Sequence, residues 1–394
     1  MKILHTADWH IGKKLCDKSR LEEQKAVLDE ITQIAEEENV DAVIVAGDVF
    51  DTSVPPAEAE ELFYRSAVNL SKGRKFIAIA GNHDDPERLS APRGMAGALN
   101  IFLIGEDGDN RVIEIESKVD IKSKTPSESK ADSSKTEKLR LAVCPYPRQS
   151  ALAVGEDKDK PYTELVKNHF DKACASFDDS AYNVLVTHAF ATKSAKDEDG
   201  LLSDERTLGT ASLLPESVFP SCDYVALGHI HKPYAVSKSK NILYSGSILS
   251  YSFDDLSEKS VCIVEFSGAG KDKKTTVKRV PLKSGKKLVR IEADSFEKAK
   301  EGLESNKCAY VHIDYCGNAP LSAGEVREIK KHEAYCSIAV TKQREERTFT
   351  QRIQRSLKEQ FIDFYKFSSS TDSPPPDELI DMFLKVLNGE ETAE

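Results

Sequence analysis

The sequence predicts an α/β fold, and three observations carry that expectation. Short, continuously apolar runs recur at Ile3-Leu4, Ala42-Val43-Ile44-Val45, Phe76-Ile77-Ala78-Ile79, Val184-Leu185-Val186 and Val225-Ala226-Leu227, as strands buried on both faces require. Helical periodicities alternate with them in the rhythm of βαβ units. Each run ends in a short polar island: Asp8-Trp9-His10, Gly47-Asp48, Gly81-Asn82-His83-Asp84, Thr187-His188 and Gly228-His229-Ile230-His231.

The first helix is expected over 22–39, with Val27, Leu28, Ile31, Ile34 and Ala35 inward, and the second over 57–70, with Leu62, Phe63, Ala67 and Leu70 inward. Strands at 112–115 and 139–143 flank a polar stretch, 119–137, which has almost no apolar residue and is expected to form a solvated loop. The linker Lys283-Ser284-Gly285-Lys286 marks a boundary after residue 282. Beyond it a β-α-β-α-β pattern runs through 287–292, 296–303, 308–315, 323–331 and 335–341, expected to form a small domain over 283–345. The tail, 346–394, opens with an amphipathic helix at 348–367 carrying Ile353, Leu357, Phe361, Ile362 and Phe364. A Ser/Pro-rich break, 368–376, ends it. A short segment follows that starts at Asp377-Glu378 and is rich in Leu379, Ile380, Met382, Phe383, Val386 and Leu387. That segment is too apolar to hang free, so it is expected to dock on a partner or to fold back on its own chain.

In open α/β sheets the ligand crevice lies beyond the carboxyl ends of the strands. Polar side chains just past each run are therefore expected to converge although they are far apart in sequence. Carboxylate, carboxamide and imidazole groups, with no thiolate in any island, suit manganese, magnesium or iron better than a structural zinc. Asp8, His10 and His231 are expected to hold one ion, Asn82, His188 and His229 a second, and Asp48 to bridge them. Two ions roughly 3.5 to 4 Å apart can clamp the attacking and leaving oxygens of an in-line phosphoryl displacement. His83, next to a ligand on a turn, is expected to face substrate as a general acid, with Asp51 orienting it. A histidine such as His188 means little alone, and the ordered constellation carries the expectation. His5, His169, His312 and His332 are taken as structural or solvent-facing, and Trp9 as packed away from the metals.

Composition sets outer bounds. The 394 residues, 39% hydrophobic, can bury an α/β core and a smaller domain. No apolar stretch approaches membrane-spanning length, and the first strand begins at once, so a cytoplasmic protein is expected. The eight cysteines, including Cys16, Cys308, Cys316 and Cys336, form no C-x-x-C pair and are expected to be free thiols. A net charge of −11 opposes simple binding to a polyanion. Bound metal ions, a basic partner, and Lys13, Lys14, Arg88, Arg93, Lys193 and Lys196 near the islands would offset it.

The stretches His5-Thr6-Ala7-Asp8-Trp9-His10-Ile11-Gly12-Lys13, Gly47-Asp48-Val49-Phe50-Asp51, Gly81-Asn82-His83-Asp84 and Asp223-Tyr224-Val225-Ala226-Leu227-Gly228-His229-Ile230-His231-Lys232-Pro233 resemble the SbcD-type nucleases, a branch of the calcineurin-like metallophosphoesterases. The likeness continues through Tyr244-Ser245-Gly246-Ser247-Ile248 and Ser252-Phe253-Asp254-Asp255. It implies a sheet sandwich flanked by helices, a small α+β capping domain, and manganese-dependent 3′-to-5′ exonuclease and endonuclease action on DNA ends and hairpins. It also implies an SMC-like ATPase partner of the SbcC type, a dimer within a heterotetramer, and docking of the tail on the base of the ATPase coiled coil. Protein phosphatases of the superfamily usually carry an Arg after the GD island and a Glu after the NH pair; neither is present, and Asp84 stands in the second place. The polar stretch 119–137 departs from the compact family pattern. Two rival functions are a phosphoesterase acting on a monoester or small cyclic diester, and a non-catalytic scaffold, whose mark would be a missing His83 or Asp48.

Overall fold

The computed structural model describes residues 1–106, 112–116, 137–192 and 213–340, and in the tail 361–362, 365, 374–377, 379–380 and 382–383. The polar stretch 119–136, Lys193, Lys196 and most of the tail lie outside the described residues.

Two six-stranded sheets face each other. One runs, edge to edge, Lys274–Pro281, Ser260–Ser267, Lys2–Thr6, Ala42–Val45, Lys75–Ile79 and Ile101–Ile104; the other runs Tyr234–Ser237, Ile242–Tyr244, Tyr224–Gly228, Tyr182–His188, Lys138–Cys144 and Val112–Glu116. The central strands of each sheet are parallel; antiparallel strands lie at both edges of the second sheet and at one edge of the first, whose other edge strand, Ile101–Ile104, is parallel. Every residue of Ala42–Val45, Tyr182–His188 and Tyr224–Gly228 is buried, because one face of each strand meets the opposing sheet and the other meets helices.

The alternation along each strand sorts side chains into two cores. Ile3, Ile44, Ile77 and Ile79 join Leu141, Val184, Val186 and Ala226 between the sheets. Leu4, Val43, Val45 and Phe76 point outward onto Val27, Leu28 and Ile31 of the helix Leu21–Glu37 and onto Leu62 and Phe63 of the helix Ala57–Leu70. Each fully buried aliphatic or aromatic side chain of this kind contributes about 1.5–3 kcal/mol. The helix Tyr162–Ala173 covers the outer face of the second sheet through Val166 and Phe170.

Residues 288–340 build a third, all-parallel sheet of Leu288–Ala293, Tyr310–Tyr315 and Tyr335–Val340, with the helices Phe296–Ser305 and Ala323–Lys331 packed on it through Leu303 and Ile329. The second helix starts where expected because Ser322 and Glu325 close a capping box. This layer belongs to the same compact unit, Met1–Val340, as the two large sheets. Glu23 of the first long helix accepts hydrogen bonds from the Tyr310 hydroxyl (2.7 Å) and the Lys286 backbone (2.7 Å), and pairs with the buried Arg20.

One expectation is overturned in the same joint. Cys16, in the turn of a hairpin formed by Lys14–Leu15 and Lys18–Ser19, is disulfide-bonded to Cys336 of the third sheet, their Cα atoms 5.5 Å apart. A separation of 320 residues hides the pair from any spacing rule. Cys308 and Cys316 flank the strand Tyr310–Tyr315 as free thiols, and Cys308 is exposed.

Thr341–Glu394 forms a separate unit. Within it the rings of Phe361 and Phe383 stack with centroids 4.1 Å apart. Among the described residues no helix is long and apolar enough to cross a membrane.

Candidate metal centre

Both sheets deliver their parallel strand ends to one crevice, and hydrogen bonds within the first sheet and across the gap hold the islands there. Asp8 N–H donates to the Gly47 carbonyl (3.0 Å), His10 N–H to the Asp48 carbonyl (3.0 Å), and His229 N–H, from the opposite sheet, to Asp8 Oδ1 (2.9 Å). Asp8, His10, Asp48 and His229 all stand at positive φ, 52°, 43°, 48° and 109°. Such conformations cost non-glycine residues of order 1–3 kcal/mol each and persist where surrounding contacts enforce them, most often at functional sites. The glycines of the islands make room. A Cβ on Gly47 would lie 2.3 Å from His188 Nδ1, one on Gly81 2.0 Å from Asp48 Oδ1, and one on Gly228 1.8 Å from the Ala46 carbonyl oxygen.

The side chains singled out in the sequence meet as two adjoining groups. Ligand-type atoms of Asp8, His10 and His231 lie within 4.8 Å of one another, as do those of Asp8, Asp48 and His188. His10 Nε2 and His231 Nε2 face each other at 3.0 Å. Asn82 Oδ1 lies 2.9 Å from His188 Nε2 and 3.0 Å from His229 Nδ1. Between the groups, Asp48 Oδ2 is 3.7 Å from His10 Nε2 and 3.4 Å from His188 Nε2. His83 stands nearer to solvent, and its ligand-type atom lies within 4.8 Å of those of His10 and Asp48. Its Nδ1 donates to the Asp51 backbone carbonyl at 2.9 Å. Asp51 thus meets His83 through its main chain, while its carboxylate reaches Lys13 (3.0 Å) and His10 Nδ1 (3.5 Å).

Electrostatics suit cations. Burial alone would lift the Asp48 carboxyl, but His188 and then His10 outweigh it and hold it well below the usual range. Burial alone would lower His188, but Asp48, Asp8 and the Ala46 carbonyl outweigh it and lift His188 to about 9. Burial and the His188 charge press His229 down to about 3; burial, His10 and Lys259 lower His231; burial lowers His10, with Asp51 and Asp48 opposing. Three imidazoles are therefore held neutral, the ligating form. His188 Nδ1–H donates to the Ala46 carbonyl at 2.9 Å, so in neutral His188 a lone pair on Nε2 faces a lone pair of Asn82 Oδ1, an arrangement that a proton or a metal ion relieves. The oxygen and nitrogen donors fit a pair of hard or borderline divalent cations.

A supporting shell was not legible as function. Asp84, 1% exposed, accepts from the Val49, Phe50 and Gly81 amides at 3.0, 2.9 and 2.8 Å, tying the GD island to the GNHD island. Gln24, buried on the first long helix, donates to the His10 carbonyl (2.8 Å) and accepts from Gly12 N–H (3.0 Å). Lys259 donates to the His231 carbonyl at 2.9 Å and pairs with Asp255. Trp9 is fully buried, donates to Thr6 Oγ1 and packs on Phe63 and Phe76, away from the crevice. Tyr146 and Arg148 come to the rim from the end of Lys138–Cys144. That run also ends in polar residues, but none of a ligand type. Of the nearby cations, Lys13 is engaged by Asp51 and Arg88 by Glu60 (2.7 Å).

A model of the calcineurin-like phosphoesterases matches residues 1–233. The SbcD component of the SbcCD nuclease from Bacillus subtilis is 32% identical over 413 aligned positions, spanning 99% of both chains. Its counterpart from Escherichia coli K12 is 32% identical over 68% of this chain and 65% of its own, and that from Staphylococcus epidermidis 30% identical over 79% and 78%. The chain belongs to the SbcD family. SbcD-type chains are calcineurin-like, metal-dependent phosphodiesterases of the nuclease class, and the two-sheet sandwich with its Asp/His cluster is the framework this one uses.

Proposed function

We propose that this protein is the nuclease subunit of an SbcC–SbcD type complex, cutting DNA ends and hairpins with two divalent ions, manganese in the first instance. The convergence of imidazole, carboxylate and carboxamide atoms from both sheets, with Asp48 between the two groups, carries this reading. Asp8, His10 and His231 would hold one ion, Asn82, His188 and His229 the other, with Asp48 shared between them. The ions supply Lewis acidity and an activated water. His83, its Nδ1–H committed to the Asp51 carbonyl, turns Nε2 toward the substrate and when protonated hands a proton to the leaving oxygen. The rival reading, hydrolysis of a monoester or small cyclic diester, uses the same metal chemistry and differs in what the crevice admits.

In the complex, an SbcC-type ATPase supplies cationic surface that a chain of net charge −11 lacks. Leu379 and Met382, 37% and 54% exposed on the tail, belong to the segment that docks on it as a helix in a groove. Two such chains sit in a heterotetramer.

The deciding experiment compares His83→Ala with Asp48→Ala for manganese-dependent cleavage of a DNA hairpin and for bound metal by mass spectrometry. His83→Ala is expected to abolish turnover with metal content retained, and Asp48→Ala to lower metal content. Equal metal loss in both refutes the division of roles, and wild-type turnover of an aryl phosphate without cleavage of DNA refutes the nuclease reading.

A further inference from the structure

The sequence Cys144-Pro145-Tyr146-Pro147-Arg148 leaves a central strand of the second sheet at the crevice edge, beside the strand that ends in His188. Prolines on both sides of Tyr146 fix φ near −65°. Tyr146 N–H donates across to the Ala80 carbonyl of the first sheet (3.0 Å), Arg148 N–H to the Tyr146 carbonyl (2.9 Å), and the Tyr162 hydroxyl to the Pro147 carbonyl (2.8 Å). The segment is thereby held as a rigid ledge, as a precise binding wall requires.

What the ledge presents is distinctive. The Tyr146 ring lies nearly parallel to His229, 25° between planes and 6.5 Å between centroids, and edge-on to His188 at 6.1 Å, while one side stays partly open. Arg148 is exposed, and its guanidinium is anchored by one bond, Nη2 to the Asp84 carbonyl at 3.1 Å, one residue from His83. It pairs with no carboxylate among the described residues, whereas Lys13 and Arg88 are engaged. An anchored guanidinium with donors to spare beside a phosphoryl-transfer site matches the geometry of a second phosphate.

We propose that Tyr146 and Arg148 grip the DNA strand beside the scissile bond, Arg148 pairing with the adjacent phosphate and Tyr146 offering its ring to the neighbouring sugar or base. This inference rests on the nuclease reading above. It makes the crevice wall selective for a polyphosphodiester over an isolated phosphate ester, because a monoester has no second phosphate for Arg148.

The test is steady-state cleavage of a hairpin oligonucleotide by the full chain with manganese, at NaCl from about 50 to 200 mM. Arg148→Ala is expected to raise KM about tenfold, with a smaller change in kcat, and to reduce the slope of log KM against log salt by about one, with Arg148→Lys recovering most of both. Tyr146→Ala is expected to raise KM about tenfold and Tyr146→Phe to stay near wild type. Wild-type KM and salt slope in Arg148→Ala overturn the clamp, as does loss of bound metal in that variant, which would mean the residue only positions the ledge. If Tyr146→Phe is as defective as Tyr146→Ala, the hydroxyl acts and the stacking role falls. A wild-type enzyme that hydrolyses an aryl phosphodiester but no DNA sinks the nuclease reading itself, a result separable from DNA cleavage that Arg148→Ala leaves unaltered.

Discussion

Asp84 offers a quantitative check on how the site is held together. Its carboxylate, 1% exposed, is the acceptor for three buried amides: Val49 and Phe50, just after Asp48, and Gly81, just before Asn82. Hydrogen bonds to a charged acceptor contribute about 1.5–3 kcal/mol each, and a buried donor left unpaired costs about 1–3 kcal/mol. Burial and the nearby Asp48 push the Asp84 carboxyl up to about 6 against the pull of the three amides, so the low end of that range applies. Asp84→Ala is therefore expected to destabilise the protein by about 4–5 kcal/mol. Asp84→Asn keeps one carbonyl oxygen but turns an amino group toward the donors, and is expected to cost about 2–3 kcal/mol. Chemical denaturation followed by circular dichroism measures both, and calorimetric titration with manganese follows the site. Metal affinity should fall in each variant, since the GD and GNHD islands lose their common anchor. A loss under about 1 kcal/mol in Asp84→Ala with unchanged metal affinity would refute this account of the shell.

Other outcomes follow from particular contacts. Trp9, the sole tryptophan and fully buried, should emit at short wavelength and resist iodide, and its emission should not change when DNA binds; quenching by DNA would refute its place in the core. Thiol alkylation without reductant should leave Cys16 and Cys336 unmodified and linked in the peptide map, and alkylation of both would refute the pairing. For Glu23, burial alone would raise the carboxyl, but bonds from Arg20, the Lys286 amide and Tyr310 outweigh it and hold it below its ordinary 4.5. A depressed folded-state pKa stabilises above the unfolded value, and that contribution is lost as pH falls through the folded one. Protease sensitivity of the 283–287 linker should accordingly rise below about pH 4.5 in the wild type, and Glu23→Gln should show the raised sensitivity already at neutral pH; identical profiles would refute the joint. Deleting residues 378–394 should spare cleavage by the isolated subunit and weaken co-purification with an SbcC-type ATPase, and unchanged co-purification would count against docking by the tail.

The Asp/His cluster was legible because its signal is local and repeated. A strand buried on both faces is predominantly apolar, and the polar island that follows its apolar run lies toward the sheet edge, so Asp8, Asp48, Asn82, His188 and His229 could be placed with no knowledge of the contacts among them. The helix over 57–70 was legible from its apolar stripe, and the helix 323–331 from its place in the β-α-β-α-β alternation. The Cys16–Cys336 bond was not, since nothing near either residue reports on the other. Nor were Gln24, Lys259 and Asp84, which reach the site through main-chain atoms that any sequence possesses.

Residue type and periodicity, which act over a few positions, thus determined by themselves the α/β class, the strand ends and the chemistry of the donors. Tertiary structure alone decided how closely the donor atoms approach one another, that Asp51 meets His83 through its carbonyl, that a disulfide joins the third sheet to the first hairpin, and that Tyr146 and Arg148 stand at the rim. Those outcomes depend on the distance between two sheets and on the path of the backbone between them, which are properties of the packed molecule and not of any segment of it.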